Sequence, residues 1–550
     1  MSGGGDLLSI ATGGLQAFQQ ALSTTGNNIA NVNTDGYSRE QVNLATQVPQ
    51  PTGAGFIGTG VKVTGITRSY NQFVTEQVRS STSANASLQT YANLAGNVSN
   101  LLGDSSAGLS PALQSFFNAV QGVASNPTDP SARQVMLSQG QTLASRFNYL
   151  NQQLSDQRKQ VDGQLNDAVS QINSLAKSIA QVNQKIVTAT GQAGGQPPNT
   201  LLDQRDTLLN KLSKQVSVST VAQSDGSVNV FIGKGQPLVT EFTAGKLSYK
   251  PAPAPGMQPV VSFSSSGTSG AVPVTGNITG GNLGGMLSFR SQVLEPAQTS
   301  LDRLAASVAS KFNAQHVKGI TLNGNPGGDF FSASPKVNQT AGSPDSVAVT
   351  YDPQTVSQLG ASSYTLAYNG SNWTLTPAGG KAITLSGSGP TFKGDGMKIT
   401  VNKPAPTSSV QYTINTNAAS TIGVAIQDPA KIAAADPVAG STGNVGDNRN
   451  ALALAKLQDA LTMDGGTSSF SGNYGQLVAD IGTKTSQAQT NQKAQQAMLQ
   501  QAQSKQSSIS GVNLDQEAAN LVKYQQAYQA AAHVVTIANT VFQSLLSAVR

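Results

Sequence analysis

The chain has 550 residues and a net charge of +6, and only 11% of its residues are charged and 5% aromatic. It has two histidines and no cysteine, which excludes disulfides, thiolate metal sites and thiol catalysis. This length predicts several domains, and so few aromatic and charged residues are unusual for an enzyme with a buried active site.

Charge and hydropathy also bound the partners and the location. The positive charge is thinly spread, without a basic block, so we expect no nucleic-acid partner. The first residues, MSGGGDLLSIATGG, lack a positively charged start and a continuous apolar run, so we expect no cleaved signal peptide. No segment reaches the roughly 18 apolar residues of a membrane span, so we expect no membrane insertion.

The N-terminal segment repeats apolar residues every seven positions, which predicts a coiled-coil helix over residues 8 to 32. One row of this repeat contains Leu8, Leu15, Leu22 and Ile29, and its companion row contains Ala11, Phe18, Thr25 and Val32.

The C-terminal segment carries the same repeat. One row contains Leu514, Leu521, Tyr528, Val535 and Phe542, and its companion contains Tyr524, Ala531, Ala538 and Leu545. We expect the two ends to pair as a coiled coil whose outer faces contact other subunits; the alternative is that each helix packs on a separate globular core. Since two helices of this size are marginally stable alone, we expect them to be ordered only on assembly.

The first helix runs into an Asn-rich stretch, GNNIANVNTDGYSRE, from 26 to 40. Residues of the types at Asn31, Asn33 and Gly36 favour turn and left-handed conformations, so this stretch should end the helix and form a hinge. We expect Tyr37 and Arg39 to lie on the segment beyond it, where they contact a neighbouring subunit or the rest of the chain. Simple intramolecular packing of Tyr37 is the alternative.

Long helices are expected at 83–215, about 285–316 and 476–510, and two β-rich segments interrupt them. Within the first helical stretch, one seven-residue row contains Leu154, Val161, Ala168, Leu175 and Val182, and Leu165, Ile172, Ile179 and Ile186 lie alongside it. The first β-rich segment carries an Asp225-Gly226 hairpin signal. In the second, Tyr364, Leu366 and Tyr368 share a face before an Asn-Gly turn.

The sequence therefore predicts a multidomain α+β protein. Its expected parts are a terminal coiled-coil domain (1–45 with 511–550), an α-rich rod domain (46–215, 283–336 and 419–510), a β-rich subregion of that domain (216–282) and a small outward β domain (337–418).

The sequence offers no catalytic pattern. Neither His316 nor His533 has metal-ligand spacing, and no phosphate loop, dinucleotide fingerprint or nucleophile elbow is present. Asp203 and Asp206 flank Arg205, which favours a solvated helix face with local ion pairs over acid–base chemistry. We therefore expect no enzyme activity and no catalytic, metal or cofactor site.

Two motifs resemble a known family. NNIANVNTDGYSRE (27–40) is similar to the N-terminal signature of bacterial flagellar rod, hook and hook-associated proteins, and GVNLDQEAANLVKYQQAYQAAAHVV (511–535) is similar to their C-terminal helix. Interior stretches such as NTLLDQRDTLLNKLS (199–213) narrow the likeness to the hook-associated group at the hook–filament junction. The likeness does not extend to 337–418.

This resemblance implies a structural subunit outside the cell. It implies export through the flagellar type III apparatus without signal cleavage, followed by assembly through the terminal helices as a ring at the distal end of the hook. The partners implied are copies of itself, the hook protein, the second junction protein (hook-associated protein 3), an export chaperone and, transiently, the filament cap.

Overall fold

A computed structural model of the chain describes residues 3–548 other than 53–54, 107, 254–255, 266–269, 342–345, 388, 403–409 and 438–445. Helices account for both ends and much of the centre. They are α1 (Gly3–Ala30), α2 (Gln72–Gly103), α3 (Leu109–Ser125), α4 (Pro130–Gln192), α5 (Asn199–Gln215), α6 (Gly281–Phe289), α7 (Glu295–His316), α8 (Ala418–Thr421), α9 (Arg449–Ala455), α10 (Phe470–Ser510) and α11 (Leu514–Ala548).

Strands lie in three stretches between the helices. Those before α2 are β1 (Glu40–Thr46), β2 (Gln50–Thr52), β3 (Gly55–Ile57) and β4 (Val61–Arg68). Those between α5 and α6 are β5 (Val218–Ala222), β6 (Val228–Ile232), β7 (Gln236–Thr240), β8 (Thr243–Ala244), β9 (Lys246–Lys250), β10 (Val260–Ser264) and β11 (Val272–Pro273). Those after α7 are β12 (Phe331–Ser332), β13 (Lys336–Ala341), β14 (Val347–Tyr351), β15 (Ser363–Tyr368), β16 (Trp373–Pro377), β17 (Ile383–Thr384), β18 (Thr391–Gly394), β19 (Met397–Val401), β20 (Val410–Asn415) and β21 (Gly423–Val424). This order confirms the predicted α+β class with helical termini.

Helix α4 is the longest element of the rod domain, the helical part built by α2 to α7 with α9 and α10. It begins at Pro130, and the carboxylate of Asp129 caps it by accepting from the N–H of Ser131 at 2.9 Å. Its seven-residue apolar rows face inward, and Leu154, Val161 and Leu165 are fully buried. The burial of these residues confirms the predicted periodicity of this helix. An apolar stripe of this width is stable only when neighbouring helices cover it.

The predicted helix over 285–316 differs from the structure in two details. It begins earlier, at Gly281, and is interrupted by a π-helical turn at Arg290–Leu294. Pro296 follows this turn, and proline has no N–H to continue an ordinary helical ladder. The wider turn leaves Arg290 buried, where it pairs with Glu295 of α7 and with Asp162 of α4.

The β-rich segments form small antiparallel sheets. Between α5 and α6, β5 and β6 make the hairpin predicted at Asp225-Gly226, with Ala222 opposite Val228. Farther along, the order β13-β20-β15-β16-β17 makes a five-stranded sheet and β14-β19-β18 a three-stranded one; together these strands, residues 336–415, are called the β domain. The predicted common face of β15 is confirmed, since Tyr364, Leu366 and Tyr368 are all buried.

A two-stranded ribbon lies directly after α1 and was not predicted from the sequence. Strands β1 and β4 pair from Glu40 opposite Arg68 to Thr46 opposite Val61, and the ribbon packs against α1. It joins residues on both sides of the predicted boundary at 45. The alternation of Val61 and Val63 with polar residues is the signal that could have indicated β4.

Among the residues that the structure describes, no helix is long and apolar enough to cross a membrane.

Candidate assembly surface and its joint to the rod domain

Helices α1 and α11 pack against each other in opposite directions. A side-chain carbon placed on Gly14, midway along α1, would lie 3.7 Å from the Cβ of Ala531, midway along α11. The loop that follows α1 meets the start of α11, because the guanidinium of Arg39 donates to the side chain of Gln516 at 2.6 Å. The two chain ends therefore form the predicted pair, as an antiparallel coil.

The buried positions of the two helices carry mostly small side chains. Ala11 and Ala21 of α1 are 4% and 2% exposed, and Ala538 of α11 is 5% exposed. Ala17, at 1% exposed, lies beside Val61 and Val63 of β4. Small residues let two helix backbones approach closely, and they bury little apolar area in doing so. The pair consequently covers only a narrow strip of each helix.

The larger residues predicted for the subunit interface lie at the margins of this strip or outside it. Half-buried positions are Leu15, Phe18, Leu22, Ile29, Val32, Tyr524 and Val535. Exposed positions are Leu8, Leu514, Leu521, Tyr528 and Phe542, at 37–53% of their full area. Leu545 lies within α11, but its side chain is outside the described part of the structure.

Exposure differs along the two predicted C-terminal rows. Ala538 of the companion row is buried, whereas Leu521, Tyr528 and Phe542 of the other row are exposed. Further exposed apolar side chains of the two helices are Leu7, Val522, Val534, Ile537 and Val541. Since the helices are antiparallel, Leu7 and Leu8 lie toward the Ile537 end of α11, and the coil leaves large apolar side chains without a partner among the described residues.

The Asn-rich stretch ends α1 at Ala30, as predicted. Asn31 turns its amide back onto the helix and donates to the backbone oxygen of Asn27 at 3.0 Å. Gly36 has a φ of 81°, the left-handed conformation that glycine adopts without strain, whereas Asn33 is exposed. A side-chain carbon on Gly36 would also overlap the hydroxyl of Thr207 on α5, so the loop passes directly against the rod domain here.

The segment after this turn, residues 31–40, is called the joint, and its aromatic residue packs within the chain. The hydroxyl of Tyr37 donates to the side-chain oxygen of Asn28 at 2.7 Å. Burial raises the pKa of Tyr37, and the carboxylates of Glu40, Asp203 and Glu517 raise it further. Tyr37 therefore makes the intramolecular contacts considered as its alternative role.

A buried ionic cluster fastens the joint to α5. Asp203 accepts from both the backbone N–H and the hydroxyl of Ser38, at 2.9 and 2.8 Å. Arg68, at the end of β4, donates to Asp203 at 2.7 Å and to Asp206 at 2.6 Å, and Arg79 of α2 pairs with Asp206 at 2.5 Å. These five side chains bring three separate stretches of sequence together.

The prediction that Asp203 and Asp206 lie on a solvated face with local ion pairs was wrong. Asp203 and Arg205 are each 8% exposed, and their partners lie elsewhere in the chain. Arg205 points away from both aspartates and donates to the backbone oxygen of Gly226 at 2.7 Å, and burial lowers its pKa. Local spacing could not reveal this, since Ser38 is 165 positions from Asp203.

The same joint also reaches the C-terminal half of the chain. The backbone N–H of Arg39 donates to the oxygen of Ser510 at 2.8 Å, at the end of α10. Helix α10 ends before Gly511, and helix α11 begins at Leu514. The side chain of Asn513 caps α11 by accepting from the N–H of Asp515 at 3.0 Å. The joint thus contacts α1, α5, α10 and α11 within ten residues.

The two histidines lie far apart and play different parts. His316 is fully buried at the end of α7; its Nδ1 lies 2.7 Å from the oxygen of Gly328, and its Nε2 accepts from the N–H of Ala433 at 3.0 Å. Burial lowers the pKa of His316, so it is a neutral structural brace. His533 is exposed on α11. Within the described ranges, no three His, Asp or Glu side chains cluster in a way that could hold a metal ion.

Family models match three parts of the chain. "Flagellar hook-associated protein FlgK helical domain" matches residues 95–331, which hold most of the rod domain. "Flagella basal body rod protein" matches 8–37, which holds most of α1 and part of the joint. "Flagellar basal body rod FlgEFG protein C-terminal" matches 503–548, which holds the end of α10 and all of α11.

Whole-chain comparisons give the same picture. The chain is 37% identical to flagellar hook-associated protein 1 of Salmonella typhimurium over 98% of this chain and 99% of the relative. It is 36% identical to the protein of that name from Escherichia coli K12, with the same two coverages. The solved structure of the flagellar hook junction protein FlgK from Burkholderia pseudomallei superimposes with a TM-score of 0.68 at 29% identity, covering 79% of this chain and 100% of that one.

Proposed function

The chain belongs to the flagellar hook-associated protein 1 family, and on that premise we propose that it is a structural subunit at the junction between flagellar hook and filament. One observation supports this role most directly: the terminal coil buries alanines inward and leaves large apolar side chains exposed. A coil of that construction is incomplete without neighbours. The proposed role is structural rather than enzymatic.

Assembly would proceed through the exposed apolar side chains of the coil. Leu521, Tyr528, Ile537 and Phe542 are each more than a third exposed, and covering them with neighbouring subunits contributes about 25 cal/mol per Å² of apolar area. The entropy lost in ordering the two ends offsets part of this gain. Repeating the contact around a ring multiplies the remainder, so weak individual contacts suffice.

Export and partners belong to the same proposal. We propose that the chain reaches the cell exterior through the flagellar type III apparatus without cleavage, and that it meets the hook protein on one side and hook-associated protein 3 on the other. An export chaperone before secretion and the filament cap during assembly complete the set of partners. The flagellar family supports these assignments, and the lack of cysteine suits a chain that must pass through a channel unfolded.

The test is a deletion of the gene, followed by electron microscopy of the cells and immunoblotting of the medium. We expect hooks without filaments and flagellin released into the medium, both corrected by restoring the gene. Filaments of normal number and length on the deletion strain would contradict the proposal.

A further inference from the structure

The β domain is attached to the rod domain around a buried carboxylate. Asp302, on α7, is fully buried and accepts from the hydroxyl of Ser362 and from the backbone N–H of Ala419, each at 3.0 Å. Ser362 directly precedes β15, and Ala419 lies in α8, just after β20. Asp302 therefore contacts the chain where it runs into and out of the central strands of the domain.

No cation balances this carboxylate among the described residues, where neither lysine, arginine nor histidine pairs with it. Its charge instead acts on Tyr351 of β14, whose buried hydroxyl has no hydrogen-bond partner and whose pKa is raised by burial and further by Asp302. The hydroxyl of Tyr364 on β15 donates to Asp395. On α7 itself, Lys311 is directed to the backbone oxygen of Pro353 at 3.0 Å.

The surroundings favour the neutral acid. Burial raises the pKa of Asp302 to about 7, although the hydrogen bonds from Ala419 and Ser362 act in the opposite direction. A protonated carboxyl group also has a suitable acceptor, because the hydroxyl of Ser362 lies 3.1 Å from that of Thr299 and can donate there instead.

We propose that the attachment of the β domain to the rod domain is pH-sensitive. It is stable while Asp302 is protonated and weaker when Asp302 is ionised. The sign follows from proton linkage. In the unfolded chain Asp302 loses its proton near pH 3.8, whereas the folded chain retains it to about 7. Between these values the folded state binds more protons, so the stability of the attached domain falls as pH rises and levels off above about 7.

The tryptophan of this chain provides a selective probe. The chain has one tryptophan, Trp373, and it lies buried in β16, so its fluorescence reports on the β domain and not on the rod domain. Urea unfolding of the full chain is followed through this signal at pH 5.5 and pH 8.5. We expect the unfolding constant of the domain to be more than about tenfold larger at pH 8.5.

Asp302→Asn keeps the shape of the protonated acid, and it should remove most of this difference between the two pH values. Asp156→Asn, on an exposed face of α4, is the matched control and should keep the wild-type difference. Ser362→Ala removes a donor to the charged form and should enlarge the difference, which provides a second variant should Asp302→Asn fail to fold. An equal or smaller unfolding constant at pH 8.5 in the wild type, or an unchanged difference in Asp302→Asn, would overturn the proposal.

Discussion

The side-chain amide of Asn28 pairs with both backbone polar groups of Glu40. It donates to the carbonyl oxygen at 2.9 Å and accepts from the N–H at 2.9 Å, much as a neighbouring strand would. Asn28 is 1% exposed, so this pairing is made away from water. A residue of α1 thereby holds the first residue of β1, and the loop between them is closed across 12 positions.

Replacing Asn28 by alanine should loosen the joint. The change leaves both polar groups of Glu40 without their partner, and a buried unpaired group costs about 1–3 kcal/mol. Arg39 is the first basic residue of the chain, so tryptic cleavage there measures opening of the joint. We expect faster cleavage after Arg39 in Asn28→Ala and wild-type cleavage in Asn33→Ala, whose side chain is exposed. Equal rates in all three proteins would show that the pairing does not hold the loop.

Asp203 should be the most sensitive residue of the ionic cluster. Asp203→Ala leaves Ser38 without its acceptor and Arg68 with one carboxylate instead of two, and breaking a buried pair costs about 3–5 kcal/mol. Asp167→Ala, on the exposed face of α4, should change the free energy of unfolding by less than about 0.5 kcal/mol. Both values come from urea unfolding followed by circular dichroism.

A double-mutant cycle then isolates the contact between Asp203 and Ser38. Since the two side chains touch, we expect Ser38→Ala to cost clearly less in the Asp203→Ala background than in the wild type. Additive effects would contradict the bidentate contact.

Gly36 should resist substitution for two separable reasons. Gly36→Ala places a side chain at a φ of 81° and against the hydroxyl of Thr207. Thr207→Ala removes the overlap but not the backbone strain, so the double variant should regain part, and not all, of the lost stability. Thermal unfolding of the two single variants and the double variant measures this, and a complete recovery would leave the overlap as the sole cause.

The rod domain should weaken in acid because of His316. Its pKa is lowered by burial, so the folded state excludes a proton that the unfolded state binds below about pH 6.5. The unfolded state then binds more protons, and stability falls as pH drops from about 6.5 toward the lower folded pKa. We expect the helical signal at 222 nm to melt at a lower temperature at pH 5.5 than at pH 7.5. His533→Gln, at an exposed position, should keep this dependence.

Exposed residues of α11 and residues in its contact with α1 should respond differently to substitution. Ile537→Ser and Phe542→Ser change side chains that are 62% and 53% exposed, so we expect normal secretion and helicity but few assembled filaments. Ala531→Leu instead enlarges a residue opposite Gly14, so it should lower the helicity of the purified protein as well. Full filament assembly by the first two variants would show that Ile537 and Phe542 do not belong to the subunit interface.

Order of the terminal coil before assembly stays a prediction. Circular dichroism of the full chain, compared with a chain lacking 1–40 and 511–550, measures how much helix the ends hold in the monomer. We expect little protection of helices α1 and α11 from protease, because they bury mainly alanines against each other. Strong protection in the monomer would contradict it.

Local pattern alone determined a large part of this molecule. The seven-residue rows of α1, α4 and α11, the end of α1 in the Asn-rich stretch, and the hairpins at Asp225-Gly226 and Asn369-Gly370 follow from periodicity and turn chemistry. These features depend on neighbours within a few positions. The resemblance to the flagellar family could also be recognised from the sequence, because its motifs are continuous stretches at the two ends of the chain.

Tertiary structure decided which side of each pattern faces inward and which distant groups meet. Both rows of α11 are apolar, and only the contact with α1 decides that Ala538 is buried while Phe542 remains exposed. Asp203 is two positions from Arg205 in the sequence but binds Ser38 and Arg68. The pKa of Asp302 is raised because the β domain helps to bury it. Burial and charge pairing depend on spatial neighbours, so they become defined only when the whole chain has closed.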